Sequence, residues 1–106
     1  STGGTISISA NAILQLNANL TSSASITCNG TLKISQGTSL SMVGGTSITC
    51  SNTSTFQATG TDFDASTNYP IVKNNGSGNY GISLAGNVNI SVCQFNNINT
   101  TGLVLS

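Results

Sequence analysis

One short motif recurs at a fixed spacing and limits the fold of this 106-residue chain more than any other feature. Ser-Ile-Thr-Cys occupies residues 25–28 and again residues 47–50, a shift of 22 positions. Its alternation of polar and apolar residues predicts a short β-strand with one side turned inward. A unit of about 20 residues cannot bury its apolar side alone, whereas stacked units bury a continuous core. The motif therefore predicts coils that stack on one another.

Further shifts extend this repeat along the chain. A shift of 20 places Ile6, Ala12, Leu14 and Leu20 opposite Ile26, Leu32, Ile34 and Leu40. A shift of 22 places Ile34 opposite Phe56, and one extra residue places Leu40 opposite Phe63 and Met42 opposite Ala65. A shift of 32 pairs Cys50, Phe56, Ala58 and Phe63 with Ile82, Val88, Ile90 and Phe95. A shift of 21 carries residues 81–84 to 102–105.

These shifts predict an all-β chain, with one parallel β-solenoid domain of four to five coils over residues 1–106. No stretch combines helical periodicity with helix caps. The only proline, Pro70, and a cluster of Asn and Gly predict an inserted loop near 66–79. The inward ladder is expected to comprise Ile6, Ile26, Ile48, Ile34, Phe56, Cys28, Cys50, Phe63, Ile82, Ile90 and Phe95.

The C-terminal part of the chain resembles a known repeat. Tyr80–Leu84, residues 87–98 and Gly102-Leu103 are similar to the right-handed parallel β-helix repeats of the pectate-lyase-like superfamily. That superfamily includes polysaccharide lyases and hydrolases, phage tailspikes, autotransporter passengers and surface adhesins. The resemblance implies a right-handed parallel β-helix, and this chain looks most like the non-enzymatic surface and adhesin members.

Charged residues are nearly absent, which excludes several classes of function. Only 4% of the residues are charged, and His, Arg and Glu do not occur. Electrostatic capture of nucleic acid or of an anionic membrane surface is therefore not expected. No apolar run reaches the length of about 20 residues that spans a bilayer. Most acid–base chemistry also lacks its usual side chains, so we expect no enzyme, no metal and no cofactor.

The two acidic residues, Asp62 and Asp64, flank Phe63. With Phe63 expected to point inward, both carboxylates are predicted to face solvent beside a turn. Paired carboxylates can act as acid and base or hold a cation, but no Arg or third acid accompanies them. We therefore interpret them as an ordinary polar corner, and the catalytic residues of the enzyme members do not carry over.

Three cysteines are present, and their spacing does not suit a metal. Cys28 and Cys50 share the inward parity of Ile26 and Ile48, so they are predicted to be reduced core thiols on adjacent coils. Cys93 breaks the parity of Val92 and is predicted to lie at a corner, where it is a candidate for an intermolecular disulfide.

Two patterns of polar residues indicate which parts of the chain are exposed to solvent. Small polar residues are predicted to form a flat outward array, of a kind that glycan- or ice-binding solenoids present: Thr5, Ser7, Ser9, Ser25, Thr27, Asn29, Ser47, Thr49 and Ser51. Asn-x-Ser/Thr glycosylation motifs occur at Asn19, Asn29, Asn52, Asn75, Asn89 and Asn99. Stacked Asn side chains can also stabilise a solenoid.

The ends of such a stack expose unpaired backbone groups. The apolar strand 103–105 is the assembly candidate, through Leu103, Val104 and Leu105. We expect the chain to join copies of itself head to tail, or adjoining coils of a longer chain, in an extracellular or cell-surface filament, sheath or adhesin stalk. A glycan- or ice-binding module is the alternative. A fragment of a carbohydrate-active β-helix enzyme is the third hypothesis.

Overall fold

The computed structural model describes residues 5–76, 78–96 and 98–105, and within them short β-strands dominate. A single-turn 3-10 helix, Ser66–Asn68, is the one helical element of these residues. Strands form because β-branched Ile, Val and Thr alternate with small polar residues. In chain order they are β1 (Thr5–Ile8), β2 (Ile13–Leu16), β3 (Leu20–Ser22), β4 (Ser25–Cys28), β5 (Thr31–Ile34), β6 (Ser39–Val43), β7 (Ser47–Cys50), β8 (Thr55–Thr59), β9 (Ile71–Asn75), β10 (Tyr80–Leu84), β11 (Asn87–Ser91), β12 (Gln94–Phe95) and β13 (Ile98–Leu105).

The strands form three parallel sheets, to which each coil of the chain contributes in turn. Sheet A has the order β1-β4-β7-β10-β13, sheet B is β2-β5-β8-β11 and sheet C is β3-β6-β9-β12. Three strands therefore make one coil, four coils are complete, and β13 adds a fifth level to sheet A. The predicted parallel β-helix is confirmed. None of the helices in the described residues could cross a membrane.

The register in sheet A follows the repeat closely. Ile6 lies opposite Ile26, Ile26 opposite Ile48, and Ile48 opposite Ile82, while Ile82 lies opposite Leu103. The corresponding shifts are 20, 22, 34 and 21 residues. The predicted shifts of 20, 22 and 21 are confirmed. The predicted pairing of Cys50 with Ile82 is wrong by two residues, because Cys50 faces Leu84.

The first three strands of sheet B depart from the predicted register by two residues, whereas the predicted pairs Phe56–Val88 and Ala58–Ile90 are confirmed. Leu32 lies opposite Leu14 on one side and Phe56 on the other, so the predicted pairs Ala12–Leu32, Leu14–Ile34 and Ile34–Phe56 are wrong. The cause lies in the corners between sheets A and B. They contain four residues at 9–12 and 51–54 but only two at 29–30 and 85–86. Each change of corner length moves the next strand by two residues and preserves its inward parity.

Apolar side chains from all three sheets fill the interior. Among the predicted ladder residues, Ile26, Ile34, Ile48, Phe56, Cys28, Cys50 and Ile82 are buried, whereas Ile6, Ile90 and Phe95 are half-buried against the same core. Burying a side chain of this size stabilises the folded state by about 1.5–3 kcal/mol. Leu32, Leu40, Met42, Val72 and Tyr80 are also buried. The Tyr80 hydroxyl donates to the Val72 carbonyl oxygen at 2.9 Å, which satisfies its polar end.

Phe63 contradicts the prediction that it points inward, since 60% of its surface is exposed. Val72 takes the predicted place: it faces Leu40 on one side and Phe95 on the other, and Met42 faces Asn74. The long insertion is the segment 60–70 between β8 and β9. The predicted loop at 66–79 is therefore wrong in its middle, where β9 forms. Pro70 is tolerated because it precedes the first strand residue, where no ladder donor is needed.

Candidate functional surfaces

The last strand of sheet A holds the predicted assembly residues. β13 pairs with β10, and no further strand pairs with it among the described residues. Val104 lies opposite Ser83 and is half-buried. The backbones of Leu103 and Leu105 lie opposite Ile82 and Leu84, but their side chains lie outside the described residues. A register shift separates the Ile98 pairing from the Leu103 pairing, and Gly102 adopts a φ of 79° within it.

Burial of the inward columns decreases from the middle coils towards the end coils. In sheet B, Leu32 and Phe56 are 0% exposed, whereas Leu14 below them and Val88 above them are half-buried. In sheet C, Leu40 and Val72 are buried while their neighbours Leu20 and Phe95 are half-buried. These four side chains of the end coils are thus partly in contact with water, although they point along the same columns as the core, whereas Ile8 and Leu16 of the first coil are buried.

Small hydroxyl residues form two continuous columns on the outward side of sheet A. One column contains Ser7, Thr27, Thr49 and Ser83; the other contains Thr5, Ser25 and Ser47 and continues to Gly81. The predicted array is present within the strands, but Ser9, Asn29 and Ser51 follow the strand ends and lie in the corners. Gly81 and Gly102 leave a shallow recess of about 190 Å³ beside Thr49 and Ser83.

The segment 60–70 contains both acidic residues. Asp62 Oδ1 accepts hydrogen bonds from the backbone N–H of Asp64 at 3.0 Å and from Asn68 Nδ2 at 2.7 Å. Both aspartates are exposed, as predicted, but they lie in a loop and not on a strand. The ring of Phe63 lies 4.9 Å from the ring of Tyr69, centroid to centroid, at an interplanar angle of 55°. The described residues contain no group of three or more His, Cys, Asp or Glu suited to a metal.

The cysteine thiols are all free in the structure. Cys28 and Cys50 are buried and lie opposite each other on β4 and β7, as predicted. Burial raises the pKa of both thiols, that of Cys50 to about 12. Cys93 is half-buried and packs against the core, and burial raises its pKa to about 12 as well. A high pKa keeps a thiol protonated and slow to react, so Cys93 is less suited to disulfide exchange than a fully exposed corner residue.

The predicted glycosylation motifs lie mainly at turns and strand ends. Asn19, Asn29, Asn52, Asn75 and Asn89 have exposed side chains, while the side chain of Asn99 lies outside the described residues. Asn19 also has a structural role, because its Oδ1 accepts a hydrogen bond from the Ser39 N–H at 2.9 Å. Asn52 lies in the four-residue corner 51–54, where its amide is open to solvent.

Sequence reasoning did not predict the close packing at the corners between sheets A and B. Each two-residue corner packs directly against the four-residue corner of the preceding coil. A Cβ on Gly30 would meet the carbonyl oxygens of Ser9 and Ala12, and a Cβ on Gly86 would meet those of Ser51 and Ser54. The sequence signal for this close packing was a glycine in each two-residue corner, directly after Asn29 and directly after Ala85. Between the projecting corners lies a recess of about 390 Å³, beside exposed Ile13.

Comparison with known proteins found no matching family model, no similar curated protein and no similar solved structure. Function is therefore inferred from the surfaces of the β-helix.

Proposed function

We propose that this β-helix is a structural building block of an extracellular filament, sheath or adhesin stalk, in which the end coil of one copy pairs with the first coil of the next. The observation that carries the proposal is the graded burial of the inward columns. Val88, Ile90 and Phe95 in the last coil, and Leu14 and Leu20 in the first, point along the core columns yet are only half-buried. A further coil at each end would complete their burial.

Backbone pairing adds to this stabilisation. Strands β11 and β12 have a neighbour on one side only, as do β2 and β3 at the other end of the described stack. Each parallel hydrogen bond formed between coils contributes about 0.5–1.5 kcal/mol net. Parallel register also continues the apolar columns, because side chains of equal parity meet in adjacent coils.

The edge strands in the described residues carry neither charge nor Pro to oppose such pairing. Natural sheets block edge-to-edge association with charged residues, above all Lys, and with Pro. The charged residues of this chain are Lys33, Lys73, Asp62 and Asp64, and all four lie in the two middle coils. The six strands β1, β2, β3, β11, β12 and β13 contain no charged residue and no Pro.

Stacking of copies has one geometric consequence. Sheet A has five levels, whereas sheets B and C have four. When β2 and β3 of a second copy pair with β11 and β12, its β1 meets the level that β13 already occupies. One of these two strands must leave sheet A, and the rise from copy to copy is then four levels, about 19 Å at ~4.8 Å per strand.

The proposal is tested with two charged substitutions at inward positions of opposite ends. Ile90→Lys blocks the last coil and Leu14→Lys blocks the first, while Asn89→Thr and Gln15→Thr change outward positions of the same strands without adding a charge. Sedimentation velocity and electron microscopy measure association of the purified chain. We expect the native chain and both controls to form end-to-end oligomers, and each blocked variant alone to stay monomeric.

Mixing the two blocked variants separates a stacking defect from a folding defect. Each variant keeps one intact end, so an equimolar mixture is expected to form a 1:1 dimer and no longer species. A native chain that remains monomeric at high concentration contradicts assembly from copies. If the native chain forms oligomers and both Ile90→Lys and Leu14→Lys form the same oligomers, the end coils do not mediate the assembly.

The hydroxyl columns of sheet A support a second candidate, a glycan- or ice-binding module. Ser7, Thr27, Thr49 and Ser83 follow one another in adjacent strands, so their hydroxyls repeat at about 4.8 Å. The test is thermal hysteresis measured on the monomer. The role is established if Thr27→Lys abolishes the hysteresis while Gln57→Lys, an outward substitution on sheet B, preserves it. Absence of hysteresis and of glycan retention would exclude it.

A further inference from the structure

Sheet A is where two stacked copies of this chain compete for one position. Strand β13 forms its fifth level and pairs with β10. If β2 and β3 of a second copy pair with β11 and β12, as the proposed function requires, β1 of that copy reaches the same level. The way in which copies join therefore depends on which of the two strands stays in sheet A.

Strand β1 is held in regular register within its own copy. All four of its residues, Thr5–Ile8, lie opposite consecutive residues of β4. Ile8 is 5% exposed, and its carbonyl oxygen accepts a hydrogen bond from the Asn29 N–H at 2.8 Å. A β1 strand that left sheet A would lose this continuous pairing.

Strand β13 is held less regularly. Ile98 lies opposite Tyr80 and Leu103 lies opposite Ile82, so an advance of five positions on β13 matches an advance of two on β10. The extra residues include Gly102, whose φ of 79° is rare for any other residue type. The residues after Gly102 are thus joined to the start of β13 through an irregular connection, and they can leave sheet A while Ile98 stays in place.

The outward hydroxyl column of sheet A favours β1 at this level. The residue opposite Ser83 on β13 is Val104, which lines the same outward recess as Thr49 and Ser83. A second copy that continues the register of sheet A would place its Ser7 opposite Ser83. A hydroxyl residue would then replace an apolar one at a position that faces solvent, and the column would continue from copy to copy.

The corners between sheets A and B also favour β1. Along the stack these corners contain four, two, four and two residues, at 9–12, 29–30, 51–54 and 85–86. A four-residue corner continues the alternation, and the corner 9–12 of a second copy supplies it only if β1 of that copy lies in sheet A. Inside the chain, the Thr55 N–H after such a corner donates to the Gly30 carbonyl oxygen at 2.8 Å. The equivalent pair across the junction is Ile13 of the second copy and Gly86.

We propose that β1 of an incoming copy displaces Leu103, Val104 and Leu105 from sheet A, so that these three residues form a reversible cover over the assembly edge of β10. The cover competes with the incoming strand, and only copies with an open β10 edge accept a partner. This strand exchange rests on the proposed stacking of copies and adds its regulation, because the strength of β13 pairing sets the concentration at which assembly begins. The contact is heterologous, so it repeats from copy to copy as an open filament.

A covalent lock tests the exchange directly. Ser83→Cys combined with Val104→Cys places two thiols opposite each other on β10 and β13, where a short thiol-reactive crosslinker joins them. Thr27→Cys combined with Thr49→Cys is the matched control, since it joins β4 to β7 inside the stack and does not involve β13. Sedimentation velocity measures association before and after crosslinking. We expect the Ser83/Val104 variant to stay monomeric once crosslinked, and the crosslinked control to form end-to-end oligomers.

Weakening the attachment of β13 should have the opposite effect. Gly102→Val places a β-branched residue at a φ of 79°, which disfavours the paired conformation of the residues that follow. We expect oligomers at a concentration about ten-fold lower than for the native chain, because more copies then have an open β10 edge. Gly45→Val, at a φ of 88° in the middle of the stack, is the control and should not lower this concentration.

The outcomes separate the exchange from the stacking on which it rests. If the crosslinked Ser83/Val104 variant forms the same oligomers as its control, the exchange is overturned while the pairing of end coils stands. An unchanged assembly concentration for Gly102→Val would likewise contradict β13 as a cover. If the native chain and Gly102→Val both stay monomeric at high concentration, the stacking and the exchange are overturned together.

Discussion

Cys28 lies directly opposite Cys50 in parallel register, with both thiols buried between Ile8 on one side and Leu84 on the other. These four residues form one inward column through four consecutive coils. A thiol is only weakly polar, so an apolar interior accepts both groups at little cost. Cysteine therefore acts here as a small core residue.

The buried thiols make stability fall at alkaline pH. Burial, with a smaller contribution from Cys28, raises the pKa of Cys50 from its ordinary value of 9.0 to about 12. Below pH 9 the thiol is protonated in both the folded and unfolded states. Between pH 9 and 12 only the unfolded thiol ionises, so the free energy of unfolding decreases as pH rises. Urea unfolding on both sides of pH 9 measures this decrease.

Two variants test whether the Cys50 thiol causes this pH dependence. Cys50→Ala should flatten the decrease, because it removes one titrating group. Leu84→Ala, at the next position of the same column, should lower the free energy of unfolding at every pH and keep the slope. Equal slopes in all three proteins would show that the pKa of the Cys50 thiol is the same in the folded and unfolded states, and would contradict the effect of its burial.

Truncation of Phe56 should destabilise the protein strongly, whereas truncation of Phe63 should leave its stability nearly unchanged. Phe56 is 0% exposed between Leu32 and Val88, so Phe56→Ala leaves a cavity and should cost about 3–5 kcal/mol of unfolding free energy. Phe63 is 60% exposed, and Phe63→Ala should remain within about 0.5 kcal/mol of the native chain. Denaturant unfolding compares the two. A large loss for Phe63→Ala would place that ring in the core.

The corner between sheets A and B should not accept a methyl group at Gly30. Its Cβ would contact the carbonyl oxygens of Ser9 and Ala12, which are backbone atoms and cannot rotate away. Gly30→Ala should therefore cost about 1–3 kcal/mol, the range found for overpacked sites. Asn29→Ala, at the exposed neighbouring position, is the control and should be nearly neutral in the same unfolding assay. Equal stability of both variants would refute the packing of this corner.

The register of sheet A, apart from the pairing of β7 with β10, could be predicted from the sequence because its strands resemble one another closely. Ser25–Cys28 and Ser47–Cys50 carry the same four residues, so their register needs no knowledge of the corners. Sheet B has no such repeated motif, and its register depends on how many residues each corner contains. The alternation of four and two residues shifts Phe56 from Ile34 to Leu32 without changing which side chains face inward.

Phe63 shows why the insertion could not be located from hydrophobicity alone. Periodicity treats Phe63 and Val72 as equal candidates for the column above Leu40, since both are apolar and each is followed by a charged residue. The structure selects Val72, because Ile71–Asn75 forms a five-residue strand beside β6 whereas residues 60–70 close as a loop. The same ambiguity concealed the exposed ring and its flanking carboxylates as a surface feature.

The most direct test of the coil architecture is the measurement of NMR couplings across backbone hydrogen bonds. Three bonds link successive coils at one corner: Asn29 N–H to the Ile8 carbonyl (2.8 Å), Ser51 N–H to Cys28 (2.9 Å) and Ala85 N–H to Cys50 (3.0 Å). The structure predicts a coupling between each of these pairs, at sequence separations of 21, 23 and 35 residues. Couplings that instead join strands adjacent in sequence, as in antiparallel hairpins, would contradict the β-helix and the assembly based on it.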